Sequence, residues 1–250
     1  MNRTSKITKS LMPYFAFIIY ILVSFSESYY SADFNPTDTK VGKSVYERYC
    51  QGCHGEYGKG DGKYARDMNP KPRDFTSGMF KWTSSPAGSM PTDRDLILTI
   101  SEGVHGTSMP PWAPLKESER RDVIAYIKTF SDRFNKKPFF PETFIYPPPP
   151  NTPELIQYGN SIYHKTGCDR CHGITGRGDG INANSLMDDW NNPISPTNFY
   201  LGIFKTGKEN WKIYRTIANG LGGTPMPSSL YQLEPNEIWA LVYFIRSLKP

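Results

Sequence analysis

The sequence predicts an all-α fold made of two tandem units joined by a proline-rich linker. Three observations carry this. A block of motifs is written twice along the chain, the segments flanking it show the apolar spacing of amphipathic helices, and no run alternates apolar and polar residues as a half-exposed strand would.

The repeat is dense. Cys50-Gln51-Gly52-Cys53-His54 recurs as Cys168-Asp169-Arg170-Cys171-His172, and each histidine is followed by Gly-x-x-Gly, a basic residue and Gly-Asp-Gly, ending at Gly62 and Gly180. Upstream, Gly42 and Tyr46 answer Gly159 and Tyr163. Downstream, Pro72 to Phe75 answers Pro196 to Phe199, and Gly78 to Lys81 answers Gly202 to Lys205. Thr99 through Pro110 then matches Thr216 through Pro227 in constant register. The second copy carries about six extra residues around 188–193.

Taken in order, the first element is a leader. Arg3, Lys6 and Lys9 form a basic head before the uncharged stretch 11–25, which is too short for a span of about 20 residues and suits a signal peptide. Ser26 and Ser28 offer a small-x-small cleavage site, so 1–28 reads as a signal peptide, with an N-terminal membrane anchor as the other outcome. Both place the body outside the cytoplasm. Short helices at 41–50 and 154–167 lead into the cysteines, and amphipathic helices at 117–130 and 235–248 close each unit, Pro235 suiting a first turn that needs no N–H from it. Between the units, 135–153 holds seven prolines from Pro138 to Pro153 and reads as an extended, semi-rigid spacer. The domains are therefore expected at 39–134 and 154–250.

Composition limits the partners. The formal net charge is +5, but the basic residues are scattered among acids, so no nucleic-acid footprint is present. With 38% hydrophobic residues and a mean hydropathy of -0.54, the chain is lean in core material. Units of roughly 100 residues are marginal in the surface they bury; an apolar cofactor inside each would supply the missing interior.

Cys-x-x-Cys-His is a c-type haem attachment signature. Thiols three residues apart on one helical turn can reach the two vinyl edges of one porphyrin, and the next residue then lies under the iron as an imidazole ligand. A thioredoxin-like pair expects a βαβ setting, which the pattern lacks. A structural zinc site needs four closed ligands, and the two pairs stand 118 residues apart. Two isolated disulfides would leave both histidines unexplained. The reading is two covalently bound haem c groups, attached at Cys50 and Cys53 and at Cys168 and Cys171, with iron bound by His54 and His172.

For the remaining axial position the repeat offers Met109 and Met226, 55 and 54 residues beyond their histidines, each in Gly-Thr-x-Met-Pro before the last helix of its unit. The following proline biases each methionine away from helical geometry. His/Met ligation raises the reduction potential of haem. The other six methionines recur at no matched position. His105 competes for the first iron, although the second copy has Gly222 there; His164 reads as a surface or packing residue.

On these motifs the chain resembles class I cytochromes c in tandem dihaem form, over about 190 residues. The resemblance implies two such domains, each with its first and last helices crossing where a glycine meets an aromatic, here Gly42 with Tyr126 and Gly159 with Phe244. It also implies that the carbonyls of Pro72 and Pro196 hold the iron-bound histidines. The function implied is single-electron transfer between a redox donor and acceptor in a periplasmic or membrane-associated respiratory chain, without catalysis of its own. Such modules serve larger membrane-bound oxidase, reductase or dehydrogenase complexes. The rival enzyme reading is a dihaem cytochrome c peroxidase, kept open only by His105; a binding reading is a gas sensor or assembly subunit with structural haems.

Overall fold

In the computed structural model, residues 37–136 and 140–249 are described; the leader expected at 1–28 lies outside them. The first helix, Thr39–Tyr49 (α1), starts where the Asp38 carboxylate accepts from the amides of Lys40 and Val41, satisfying donors that no helical carbonyl can reach. A single turn, Gln51–His54 (α2), carries the second cysteine and the histidine. Asp93–Glu102 (α3) is launched by a capping box between Thr92 and Asp95, and Glu117–Lys128 (α4) closes the first lobe. The second lobe repeats the order with Pro153–Lys165 (α5), Asp169–His172 (α6), Asn210–Asn219 (α7) and Pro235–Ser247 (α8). Helices α3 and α7 were not among the expected elements.

Each lobe is held by the crossing of its first and last helices, α1 on α4 and α5 on α8. The crossing demands glycine. A Cβ on Gly42 would overlap the Asp122 carbonyl and lie 3.1 Å from Cβ of Tyr126; one on Gly159 would overlap the Ala240 carbonyl and lie 2.9 Å from Cβ of Phe244. Both expected pairs meet. Two separate cores result, one around Val45, Tyr46, Val123 and Ile127, the other around Ile162, Tyr163, Trp239 and Leu241.

The linker is more than a spacer. From 140 to 152 it forms no helix or strand, yet it is laid along both lobes. The Phe140 and Pro141 carbonyls accept from the Ser85 hydroxyl, and the Thr143 amide donates to the Ser84 carbonyl, in the first lobe. In the second lobe, Trp239 Nε1 donates to the Tyr146 carbonyl and the Tyr243 hydroxyl to that of Pro149. This strap explains a contrast in the last helices. Every residue of α8 from Ile238 to Ile245 is buried, whereas α4 buries only Val123, Ile124 and Ile127. A helix apolar all round needs cover on all sides, and the strap supplies part of it.

Thr37–Pro250 is one compact unit, because the lobes share an interface as well as a linker. Asp95 of α3 pairs with Arg215 of α7 at 3.3 Å, and Glu102 with Lys212 at 2.6 Å. Asn219 Nδ2 donates to the Thr83 carbonyl at 2.8 Å. The insertion in the second copy joins in: an isolated antiparallel bridge between Met187 and Pro193 closes its turn, and Trp190 from that turn lies under the Arg73 guanidinium at 4.4 Å. Among the described residues no helix is long and apolar enough to cross a membrane.

Candidate functional site

The two Cys-x-x-Cys-His segments have one architecture. Tyr46 and Tyr163, fully buried, donate their hydroxyls to the carbonyls of Gly55 and Gly173, both at 2.7 Å, and so tie α1 and α5 to the end of each attachment turn. Burial raises both phenol pKa values above the ordinary range. Each histidine is then fixed twice. His54 stacks on Phe75 at 4.4 Å and His172 on Phe199 at 4.5 Å, with planes 18° and 17° apart. Their Nδ1 atoms lie 3.1 Å from the carbonyls of Arg73 and Thr197.

A carbonyl can only accept, so Nδ1 carries the proton and the lone pair is left on Nε2, the state a metal-binding imidazole needs. Desolvation lowers both histidine pKa values and further favours the neutral ring. The partners differ by one residue from the expected Pro72 and Pro196. Successive carbonyls of an extended segment face opposite ways: those of Pro72 and Pro196 face Gly60 and Gly178 instead, 2.5 and 3.0 Å from where a Cβ would stand.

Cys50, Cys53, His54 and Met109 line one cleft of the first lobe, enclosing about 1240 Å³ counted out to its mouth. Phe75, Phe80, Leu96, Ile100 and Ile127 supply apolar wall. Met109 sits in a loop closed by three bonds: Val104 amide to Met109 carbonyl at 3.0 Å, Thr107 amide to Val104 carbonyl at 3.2 Å, and Met109 amide to the Thr107 hydroxyl at 3.2 Å. The loop of Met226 repeats all three through Leu221 and Thr224, at 3.1, 3.2 and 3.3 Å.

All four cysteines are partly buried, and none is paired in a disulfide. Burial pushes the Cys50 thiol up to about 12 and raises that of Cys168. Redox-active dithiols lean the other way, toward a stabilised thiolate. Nor does any cluster of three or more His, Cys, Asp or Glu side chains suited to a metal occur among the described residues. The remaining histidines are apart from the cleft. His105 is exposed, and its amide donates to the Lys205 carbonyl at 3.0 Å. His164 pairs with Asp169 at 2.9 Å on the surface.

The comparisons agree with this geometry. Residues 37–127 match the family model described as cytochrome C oxidase, cbb3-type, subunit III, and residues 156–249 match the one described as cytochrome c. A solved chain of the Kuenenia stuttgartiensis reducing HAO-like protein complex Kustc0457/Kustc0458 is 42% identical, with a TM-score of 0.83, over 85% of this chain and 97% of that one. The chain is a dihaem class I cytochrome c. As such, this cytochrome carries two covalently bound haem c groups and belongs to haem electron transfer. No curated protein matches it.

Sequence reasoning did not assign roles to Phe75 and Phe199 or to the tyrosine hydroxyls, although all four recur at matched positions. Their recurrence was the available signal. The Arg73 and Thr197 carbonyls carried none, since backbone direction is not written in side-chain identity.

Proposed function

We propose that this cytochrome relays single electrons between a donor and an acceptor outside the cytoplasm, as a non-catalytic subunit of a larger redox complex. The observation that carries the reading is the doubling of one donor set: each lobe presents a histidine locked in the metal-binding tautomer and a methionine on an identically closed loop. Cys50 and Cys53 would hold one haem and Cys168 and Cys171 the other, with His54 and Met109, and His172 and Met226, as axial ligands. When bound, haem supplies a one-electron couple between ferrous and ferric iron.

The chain's own residues serve that couple by staying still. Phe75 and Phe199 hold the imidazole planes, the Arg73 and Thr197 carbonyls hold their protons, and the threonine-braced loops keep both methionines in place. Fixed ligands keep the reorganisation between oxidation states small. His105, exposed and outside the lining of the first cleft, is badly placed as the acid–base group of a peroxidase. Membership of a complex is supported by the Kuenenia chain, whose structure is that of a redox assembly. Location outside the cytoplasm is supported by the family and by the leader-like 1–28.

Carbon monoxide and peroxide test the reading on mature protein. The expected result is that neither ferrous haem binds carbon monoxide stoichiometrically and that peroxide is not turned over. Rapid peroxide turnover would move the protein to the peroxidase class. Mild-detergent co-purification, with partners identified by mass, tests the complex.

A further inference from the structure

Lys81 and Lys205 occupy the same position in the two copies, and each marks the seam between the lobes. The Lys81 carbonyl accepts from the amide of Gly222, on the methionine loop of the second lobe; the Lys205 carbonyl accepts from the amide of His105, on that of the first. The exchange is reciprocal, so each lysine is anchored by the other lobe's methionine loop. Arg73 joins them. It lines the first cleft with Lys81, stacks on Trp190 of the second lobe, and brings its guanidinium to 3.1 Å from where a Cβ on Gly223 would stand.

Three partly buried cations thus share one small region. Burial and the neighbouring charges of Arg73 and Lys205 lower Lys81 to about 8, and burial also lowers Lys205 and Arg73. Among the described residues none of the three forms an ion pair within 4.0 Å. Three carboxylates, those of Asp188, Asp74 and Asp189, lie within electrostatic reach of Arg73; the first two are engaged elsewhere, and none of the three stands within 4.0 Å of these cations. Asp188 accepts from the amides of Trp190 and Asn192 and from the Asn192 side chain, which holds the insertion's turn; Asp74 accepts from Thr76. Clustered, desolvated cations without a directly paired counter-charge are costly. A haem held in each lobe would bring carboxylates of its own, on its propionate arms, and these suit such a cluster.

We propose that Arg73, Lys81 and Lys205 form one cation site between the lobes that takes carboxylates of both haems, so that each lysine acts on the potential of both irons. The proposal rests on the two-haem reading above. It makes the lysines positioning residues with an electrostatic reach across the seam. The trivial alternative is that each amine extends to solvent over its own lobe and acts, if at all, on one haem.

The test is a two-component spectroelectrochemical titration of mature Lys81→Met and Lys205→Met proteins, after haem is counted by its alkaline pyridine spectrum. The first-lobe component is identified by its displacement in Met109→His. Removing a nearby positive charge favours ferric iron. Each single variant is therefore expected to raise the oxidised-to-reduced ratio of both haems at fixed ambient potential by about threefold to tenfold, tenfold being about 59 mV for one electron. Lys81→Arg and Lys205→Arg keep the charge and are expected to keep both midpoints; they serve as folding controls if a methionine variant fails to mature, since an unchanged pair of midpoints in Lys→Arg beside a double shift in the other Lys→Met still supports the site. Lys71→Met removes another cleft amine, one donating to the Ala65 and Arg66 carbonyls, and is expected to leave the second haem unmoved. Shifts confined to the lobe that carries the substitution overturn the proposal alone. Wild-type protein with fewer than two haems per chain overturns the reading beneath it.

Discussion

Replacing Gly42 by Ala tests the framework that holds the first haem site. The added methyl would overlap the Asp122 carbonyl oxygen, a backbone atom inside α4, with Tyr126 Cβ 3.1 Å away. No rotamer change can relieve a clash with backbone, so α1 and α4 must part by roughly 1 Å, a gap that forfeits a quarter to a half of each dispersion contact across it. Val45 and Tyr46 on one side, and Val123 and Ile127 on the other, lose packing together. Overpacking in a tight core costs about 1–3 kcal/mol and occasionally more; with a rigid backbone as the obstacle, about 3 kcal/mol is expected. At roughly 2–4 °C per kcal/mol for a unit of this size, Tm should fall by about 6–12 °C. The assay is thermal unfolding of mature protein followed by far-ultraviolet circular dichroism. Lys43→Ala is the control: it removes an exposed pair with Glu47 at 3.3 Å, worth at most about 1 kcal/mol. A Gly42→Ala protein with two haems and a Tm within about 2 °C of wild type would refute the close crossing.

Other substitutions address the sites and the seam. Met109→Ala should let the first ferrous haem, and only that one, bind carbon monoxide, and should lower its midpoint potential; carbon monoxide difference spectra check the stoichiometry, and Met226→Ala should do the same for the second. Cys50→Ala with Cys53→Ala should yield chains with a single haem resistant to acid–acetone extraction, read by intact mass. Asp95→Ala should cost about 3–5 kcal/mol in denaturant unfolding, because it strands the buried Arg215 charge and unpins the Ser84 and Thr92 amides; Asp95→Ala with Arg215→Met should recover part of that loss.

The sequence carried the fold through its repeat, and carried the site through residues whose chemistry is narrow. Cysteine pairs with a following histidine have few other uses, and a glycine at a helix crossing is dictated by the backbone it touches. Four helices were legible from periodicity and fell within about three residues of their expected ends. Helices α3 and α7 were missed although apolar residues recur at helical spacing in both, Leu96, Ile97 and Ile100 in one and Ile213, Tyr214, Ile217 and Ala218 in the other, before Gly103 and Gly220. What the pattern could not show is that their polar faces are covered as well: Lys212 and Arg215 are buried against Glu102 and Asp95. Nothing in a linear pattern announces a partner more than a hundred residues away. For the same reason the proline-rich segment read as a spacer: its composition set its extended form, while its docking depends on Trp239 and Tyr243, whose hydroxyl and indole donors look like ordinary helix residues until the strap is seen beside them.

Where the two copies diverge, the interface gives the reason. His105 and Gly222 hold the same place in their loops, and both give their amides to the other lobe. A side chain at 105 points to solvent, but a Cβ at 222 would overlap the Phe80 carbonyl, so the second loop can approach the first lobe only as glycine. The extra residues around 188–193 fall at the same seam, where Trp190 fills the space beside Gly223 and covers Arg73. Two copies left free of each other would have no cause to differ at these points in particular. The divergence is therefore a record of docking: the repeat preserved what holds each haem, and changed where one lobe had to fit the other.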